Sequence, residues 1–539
     1  MTEIRGIIID PLNRKQFKGV IRVDNGRIHS VEPMEDVPEI YIMPGFVDAH
    51  IHIESSMLVP SEFARLAVQH GTVATISDPH EIANVCGIDG VNFMIENGNT
   101  VPLKFHFGAP SCVPATIFET AGAEINVEDV ARLLERDDIY YLAEMMNWPG
   151  VLYDDEVVLA KIEAAKKIGK PVDGHAPGLR GDQAKKYCSA GISTDHECFT
   201  LDEALDKLKH GMYIIIREGS AARNFEALVP LFNTHAGMLM FGSDDKHPDD
   251  LLLGHINSVV RRALDYGHDF FDVLHAACVL PVQHYKMNVG LLQPGDTADF
   301  ILVEDLKSMR VSQTWIDGIC VFDGEVRFEK TSITPINYFV DWQTTPADFH
   351  LHSTEVSKTV PVIDALDGEL ITQRSEAALP VVNGLITVDQ TQDVLKIAVV
   401  NRYAKTPPAV GFIRNFGLKN GAIASSVGHD SHNIIAVGTS DEYLSQVVNL
   451  IMDAKGGIAA VNPSESKLLP LPVAGIMTHL DGLQAAKDYE ALNKMAKEMG
   501  STLAAPFMLI SFMALLVIPS IKMSDKGLFD AEKFEFISF

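Results

Sequence analysis

Between residues 43 and 280 the sequence alternates eight times between a short apolar run and a stretch with helical periodicity. Strands that alternate with helices are parallel, and helices then cover both faces of the sheet, which explains runs that are apolar throughout. Eight successive units of this kind predict a (β/α)8 TIM barrel. The predicted strands are 45–52, 72–77, 103–109, 140–144, 171–175, 192–195, 212–217 and 237–243, and the predicted helices are 61–70, 90–96, 127–136, 155–168, 182–190, 202–210 and 221–235.

Runs of β type also flank the barrel region on both sides. Residues 1–42 contain short apolar runs and an Asn-Gly pair, which is typical of a tight hairpin. Residues 281–330 contain similar runs between Pro-Gly-Asp and Asp-Gly turns, so we expect the two flanks to form one small β domain. The turn-rich residues 331–349 then form a connection to a separate C-terminal α+β domain over residues 350–539.

The charge balance excludes several classes of partner. The chain has 72 acidic and 44 basic residues and a formal net charge of -28, so its surface repels nucleic-acid polymers and anionic lipid, although a free base remains an acceptable ligand. The apolar stretch 504–521 is interrupted by prolines and leaves about 12 uninterrupted residues, fewer than the roughly 20 of a membrane span. Six cysteines without a CxxC pair, and no signal-peptide pattern, predict a reduced cytoplasmic protein.

His50 and His52 lie two residues apart at the end of the first predicted strand. Successive side chains of a strand point to opposite faces, so the two imidazoles project to the same side. Such a pair is suited to hold a metal ion, but an isolated pair is equally an ordinary polar strand end. The residues at the ends of the other predicted strands are therefore needed to distinguish these interpretations.

Further histidines and carboxylates end the other predicted strands, and barrel active sites lie at these carboxyl ends. With His50 and His52, they favour two divalent ions that share a carboxylate and a water. Mixed imidazole and carboxylate ligands are compatible with manganese, iron or zinc. We expect one ion to bind His50, His52, Glu144 and Asp244, and the other to bind Glu144, His175 and His196, with Glu144 as the bridge.

Six motifs together resemble the bacterial adenine deaminase family of the amidohydrolase superfamily. They are HIHIESSM (50–57), SDPHEIANV (77–85), AEMMNWPGV (143–151), DGHAPG (173–178), DHE (195–197) and GSDD (242–245), and the resemblance extends to VGHDSHNI (427–434) in the C-terminal domain. Many superfamily members carry a carbamylated lysine where this chain has Glu144. The resemblance implies hydrolysis of adenine to hypoxanthine and ammonia by a cytoplasmic homo-oligomer, a dimer, that uses manganese or iron.

The implied reaction needs a base for the attacking water and an acid for ring nitrogen N1 and the leaving ammonia. Asp244 is the expected base, and Glu197 is the expected proton shuttle, with Glu144 as a competing candidate. Strand alternation directs Glu197 away from His196, so this role requires the sixth strand to end before Glu197.

Other polar residues have two interpretations each. Asp78 and His80 either orient the substrate or belong to an Asp-Pro turn, and Glu54 and Ser55 either contact the purine or cap a loop. The loop that contains His429, Asp430 and His432 is either solvated and capping, or it closes over the barrel mouth or holds a further metal ion.

Two alternative functions remain open at this point. The chain is either another amidohydrolase acting on a cyclic amide or amidine, or a metal-free scaffold protein of the same fold. A lysine in place of Glu144 would have favoured the first alternative, and the complete ligand set argues against the second. Adenosine is not an expected substrate, because its ribose would have to fit a pocket shaped for a free base.

Overall fold

The computed structural model describes residues 1–220 and 222–538. The chain folds into two compact units. Unit 1 comprises residues 1–80, 92–111 and 126–333, and unit 2 comprises residues 81–91, 112–125 and 334–539. Two short segments from the barrel region of the sequence therefore belong to unit 2, which sequence periodicity did not indicate.

The strands of unit 1 follow the predicted alternation. Four strands come first: β1 (Thr2–Asp10), β2 (Lys15–Asp24), β3 (Arg27–Pro33) and β4 (Tyr41–Pro44). The barrel strands are β5 (Phe46–Ile51), β6 (Thr72–Ser77), β7 (Lys104–Ala109), β8 (Ile139–Met145), β9 (Val172–Gly174), β10 (Thr194–Asp195), β11 (Tyr213–Arg217) and β12 (Leu239–Gly242). Three strands end the unit: β13 (Phe300–Val303), β14 (Val311–Ile316) and β15 (Ile319–Phe322).

Strands β5 to β12 form the predicted (β/α)8 TIM barrel. Strands β5 to β9 pair in parallel in chain order, and β10 to β12 do the same. The Ser193 amide donates to the Val172 carbonyl at 2.8 Å and joins the two sets. The Asp244 amide donates to the His50 carbonyl at 2.8 Å and closes the barrel between its first and eighth strands.

The helices of unit 1 agree with the periodicity except in two places. The second predicted helix is 19 residues long and is interrupted at Gly87, whose φ of 60° is left-handed. The predicted helix 221–235 is two short helices separated by a 3₁₀ turn at Val229–Leu231, because Pro230 cannot donate a helical hydrogen bond; Ala221 lies outside the described residues. The helices are α1 (Pro60–Ala67), α2 (His80–Gly98), α3 (Val127–Leu134), α4 (Trp148–Leu152), α5 (Glu156–Lys167), α6 (Gly181–Ser189), α7 (Leu201–Leu208), α8 (Phe225–Leu228), α9 (Phe232–His235), α10 (Pro248–Leu253), α11 (Ile256–Asp265), α12 (Phe270–Leu274) and α13 (Leu280–His284).

The two flanks of the barrel form one sheet, as predicted. Its strand order is β15-β14-β13-β4-β1-β2-β3, in which antiparallel pairing of β13 with β4 joins the two ends of the sequence. Ile8, Ile21 and Phe300 are almost fully buried in its core. The expected small β domain built from both flanks is therefore present.

Unit 2 has the predicted α+β character. A nine-stranded sheet has the order β18-β17-β16-β20-β19-β22-β21-β23-β24, and a three-stranded sheet has the order β25-β26-β27. Its strands are β16 (Ser357–Ala365), β17 (Thr372–Val382), β18 (Leu385–Ile386), β19 (Val394–Val400), β20 (Ala409–Arg414), β21 (Ala422–Ser425), β22 (Ile434–Gly438), β23 (Gly457–Val461), β24 (Ser466–Pro470), β25 (Ile521–Ser524), β26 (Gly527–Asp530) and β27 (Glu535–Phe536). Its longer helices are α14 (Asp441–Ala454), α15 (Gly482–Glu498) and α16 (Pro506–Phe512).

The apolar stretch near the C-terminus is a buried segment, as expected. Every residue of α16 is buried. Among the described residues, none of the helices combines the length and the apolar character that crossing a membrane requires.

Glu119 of unit 2 provides a pH-dependent test of the fold. Burial, reinforced by the nearby Asp430, raises the pKa of Glu119 to about 8. The folded state therefore holds a proton that the unfolded state releases near pH 4.3, and the resulting stability is lost as the pH rises towards 8. Glu119→Gln keeps the acceptor for the Thr116 hydroxyl, which lies 3.0 Å from Oε1, and removes the ionisation.

We expect the stability advantage of Glu119→Gln over the wild type to grow between pH 5 and pH 8, by at most about 1.4 kcal/mol for each pH unit. Urea midpoints measured at both pH values test this expectation. Glu124→Gln, at an exposed position in the same segment, is the control. Parallel pH curves for the Glu119 variant and the wild type would contradict the assigned burial cost.

Candidate active site

The structure brings together all six predicted metal ligands at the carboxyl ends of the barrel strands. Each of them is at most 7% exposed. His50 lies in β5 and Glu144 in β8, whereas the other four lie within two residues after the end of a strand, where the backbone is free to turn their side chains inward. They are His50, His52, Glu144, His175, His196 and Asp244.

Glu144 lies at the centre of this cluster. Its Oε2 atom is 2.9 Å from His175 Nδ1 and 3.0 Å from His196 Nε2, while its Oε1 atom is 3.3 Å from His52 Nε2. Burial acts to raise the pKa of Glu144, but the imidazoles of His175 and His196 outweigh it and hold that pKa well below its ordinary value. Glu144 is therefore an ionised carboxylate whose two oxygens face different ligands.

The first and last strands contribute the other side of the cluster. Asp244 Oδ1 is 3.5 Å from His52 Nε2 and 3.8 Å from His50 Nε2. The ring of His50 stacks on that of His196, with 3.8 Å between their centroids. Potential ligand atoms converge in groups of three or four, including Glu144 with His175 and His196, His50 with His196 and Asp244, and His52 with Asp78, His80 and Glu144.

The chemistry of these donors fits divalent metal ions. Both ring nitrogens of His50, Nε2 of His175 and Nδ1 of His196 are buried and have no hydrogen-bond partner within the described part of the chain. Buried polar atoms are normally paired, so these nitrogens are suited to coordination. Burial, followed by the neighbouring His196, lowers the pKa of His50 well below its ordinary value, which favours the neutral imidazole that binds metals.

Arg217, at the end of β11, holds two of the proposed catalytic carboxylates. One of its nitrogens, Nη1, donates to both Glu197 and Asp244, and Nη2 donates to Glu197 Oε2 at 3.1 Å. β10 ends at Asp195, so Glu197 is not constrained by strand alternation, and its Oε1 lies 3.7 Å from His175 Nδ1. Sequence reasoning missed Arg217, although a charged residue that ends the apolar run YIIIR is the signal that would have identified it.

The candidates that follow β6 lie beside the metal ligands. His80 Nδ1 is 3.1 Å from Asp78 Oδ2 and 3.5 Å from Glu144 Oε1. Asp78 Oδ1 also accepts from the His80 amide at 3.0 Å. The two interpretations of Asp78 and His80 are therefore compatible, because the residues form a turn and also lie beside the candidate site.

The candidates that follow β5 are also buried, in a 3₁₀ turn at Ile53–Ser56. Glu54 is 2% exposed and Ser55 is 3% exposed. The Ser55 hydroxyl donates to Asp245 Oδ1 at 2.5 Å. Asp245 had no role in the sequence prediction beyond its place in the GSDD motif.

Comparisons with known proteins identify the family of this chain. Residues 41–321 match the amidohydrolase family, and residues 369–535 match the adenine deaminase C-terminal domain. An adenine deaminase of Methanosarcina barkeri is 51% identical over 545 residues, covering 100% of this chain and 99% of the relative. An adenine deaminase of Sulfurovum is 53% identical over 537 residues, covering 99% of both chains. The chain belongs to the adenine deaminase family. This finding confirms the resemblance that the six motifs indicate.

In this member of the adenine deaminase family, Asp48 of β5 binds the backbone next to two of the candidate ligands. Its Oδ1 atom accepts from the Ser243 amide at 3.0 Å and from the His50 amide at 3.3 Å. Its Oδ2 atom accepts from the Ser243 hydroxyl and lies 2.7 Å from Nε2 of the buried His255. One carboxylate thus ties the histidine pair of the first strand to the residue before Asp244.

The histidine loop of the adenine deaminase C-terminal domain surrounds one carboxylate inside unit 2. Nδ1 of His429 and Nε2 of His432 each contact a different oxygen of Glu81. The Gly428 amide donates to His432 Nδ1 at 3.2 Å, which places the proton of this imidazole on Nε2. With its proton on Nε2, His432 offers no lone pair to a metal ion at that atom, so its close contact with Glu81 favours a structural role over a further metal site.

We expect His432→Ala to leave the number of bound metal ions unchanged and to lower the free energy of unfolding by about 1–3 kcal/mol, because it removes an imidazole that contacts the buried carboxylate of Glu81. Metal analysis and urea unfolding measure the two effects separately. His479→Ala replaces an exposed histidine of the same unit and is the matched control. Loss of one equivalent of metal from the His432 variant alone would instead establish a metal site in this loop.

Proposed function

We propose that the chain hydrolyses adenine to hypoxanthine and ammonia with two divalent metal ions held by His50, His52, Glu144, His175, His196 and Asp244. Full-length relatives that are about 50% identical are adenine deaminases, and they support this reaction. The observation that carries the assignment of the site is the convergence of four imidazoles and two carboxylates at one end of the barrel. Two bound divalent ions supply Lewis acidity that makes hydroxide available near neutral pH.

Asp244 is the proposed base that takes the proton of the attacking water. Burial acts to raise the pKa of Asp244, but Arg217 and the neighbouring histidines outweigh it and keep that pKa well below its ordinary value. The carboxylate is therefore ionised at neutral pH and can accept a proton. Arg217 binds its Oδ2, so Oδ1 is the oxygen that faces His50 and His52.

Glu197 is the proposed proton shuttle to N1 of the purine and to the leaving ammonia. Its position against Arg217 and near His175 supports this role, since one guanidinium connects it to Asp244. Glu144 is the competing candidate, but both of its oxygens face imidazoles, which favours a bridging role between the ions.

Further side chains near the ligands are proposed to position the purine. They carry donors or acceptors that suit ring nitrogens, and all of them are buried. Adenosine is expected to be a poor substrate, because its ribose would have to fit a pocket shaped for a free base. The proposed residues are Glu54, Ser55, Asp78 and His80.

The remaining assignments are a native metal of manganese or iron, a cytoplasmic location and a homodimer. Mixed imidazole and carboxylate donors suit either metal, and zinc as well. All six cysteines are free thiols, which supports a reducing compartment. The dimer rests on the family resemblance alone.

The decisive experiment measures ammonia release from adenine by the purified protein. Samples loaded with manganese or ferrous iron are compared with a chelated sample, and adenosine is the control substrate. We expect metal-dependent release with hypoxanthine as the product. Two bound ions without ammonia release would overturn the choice of substrate, and a protein without bound metal or activity would overturn the hydrolase assignment.

A further inference from the structure

A cavity of about 210 Å³ lies in unit 1, in the segments that follow β11 and β12 and beside the start of α11. Its volume is several times the roughly 30 Å³ that one water occupies in the liquid. Four cationic side chains line it, against two carboxylates, in a chain whose net charge is -28. The cations are Arg223, Lys246, Arg261 and Arg262, and the carboxylates are Glu218 and Asp250.

The two carboxylates already face the arginines. Arg223 lies 3.7 Å from Glu218 and 3.5 Å from Asp250, and Arg262 also pairs with Glu218. Lys246 is different, because it is only 9% exposed and its ammonium group has neither a hydrogen bond nor an ion pair with any residue that the structure describes. A largely buried lysine side chain whose charge is not paired with a described carboxylate is suited to bind an anion that reaches its ammonium group.

The start of α11 adds a second source of positive potential. α11 is ten residues long, and no side chain caps its first turn. Ser258 and Val259 of that turn line the cavity. The Ser258 amide already donates to the His255 carbonyl at 3.0 Å, so the contribution of this helix start is its dipole, which favours an anion at this position.

The position of the cavity in the barrel indicates which kind of anion it binds. TIM barrels frequently bind phosphate with the loops after their seventh and eighth strands and the N-terminus of a nearby helix. β11 and β12 are the seventh and eighth barrel strands here, and the short helix α10 follows β12. We propose that this cavity binds a phosphate group, either of inorganic phosphate or of a phosphate monoester, through Lys246, Arg261 and the N-terminus of α11.

The proposal is tested by calorimetric titration of the metal-loaded protein with inorganic phosphate and, separately, with ribose 5-phosphate. Chloride at matched ionic strength and neutral ribose are the control ligands. Lys246→Met keeps most of the side-chain stem and removes the charge, while Arg261→Ala changes an exposed side chain. Arg132→Ala, which is exposed on α3, is the matched control, and a thermal unfolding scan of each variant without ligand verifies folding.

We expect the wild type to bind at least one of the two phosphate ligands, Lys246→Met to weaken the affinity at least tenfold, and Arg261→Ala to weaken it about threefold. Arg132→Ala is expected to bind like the wild type. A preference for inorganic phosphate or for the ester identifies the source of the group. The proposal is overturned if neither ligand binds, or if folded Lys246 and Arg261 variants bind as tightly as the wild type, since phosphate would then occupy the metal centre or another site. If Lys246→Met does not fold, the affinity of Arg261→Ala for the phosphate ligands tests the proposal.

Discussion

Glu144→Gln is expected to lose at least one of the two bound ions and to reduce kcat/KM for adenine on the order of 10³-fold. Metal ions contribute several kcal/mol of transition-state stabilisation, and each 1.36 kcal/mol corresponds to a factor of about ten. Glutamine keeps the shape of the side chain but removes the negative charge that faces His52, His175 and His196 at 2.9 to 3.3 Å.

Metal analysis and ammonia release measure the two effects of Glu144→Gln independently. Glu156→Gln is the matched control, because Glu156 is an exposed carboxylate at the start of α5. The control is expected to keep two ions and wild-type activity. A Glu144 variant with two ions and full activity would remove Glu144 from the metal site.

Arg217→Lys is expected to lower kcat about 10²-fold while the protein retains both ions. Lysine keeps the positive charge but loses the planar fork that binds Glu197 and Asp244 together. Residues that orient a metal ligand typically contribute about 10- to 100-fold to activity or affinity. Ion content therefore separates a positioning role from loss of the metal site.

Arg217→Met extends this prediction to the pH profile. Arg217 lowers the pKa of Asp244, so the pKa should rise towards its ordinary value when the guanidinium is removed. A base is active only when it is unprotonated, and the acidic limb of kcat/KM against pH is therefore expected to move to higher pH.

The Arg217→Met change also leaves a buried carboxylate unpaired and is expected to cost about 3–5 kcal/mol of stability. Arg217→Lys is thus the variant that remains informative if the methionine variant unfolds. Arg180→Met, which breaks an exposed ion pair with Asp206, controls for the loss of an arginine elsewhere. Wild-type kcat and an unchanged pH profile for Arg217→Lys would show that Arg217 does not position the catalytic carboxylates.

The residues of the proposed metal site could be selected from the sequence because each of them depends only on local rules. His50 and His52 share a face by strand alternation, and Glu144 and Asp244 are found by inspecting strand ends. Because the carboxyl ends of all barrel strands lie at the same end of the barrel, these distant positions are expected to be close together even when side-chain packing is unknown. The fold class and the positions that converge in the candidate site could therefore be predicted from the sequence.

Other features required the tertiary structure. The role of Arg217 depends on two carboxylates that come from different strands, and no periodicity links them. Glu81 contacts His429 and His432 across nearly 350 positions of sequence, inside a unit that takes short segments from the barrel region. The proposed division of ligands between two ions likewise depends on side-chain rotamers, which alternation along a strand does not determine.

Asp48 gives the barrel one further property. Its carboxylate holds the seam between the first and eighth strands and, through the same hydrogen bonds, the backbone of His50. If the proposed ions bind only the closed barrel, their binding stabilises that form by RT ln(1 + [L]/Kd). Depletion of metal is then expected to increase hydrogen exchange first at the amides of Ser243 and Asp244, and the supply of metal would affect the stability of the closed barrel as well as the proposed activity.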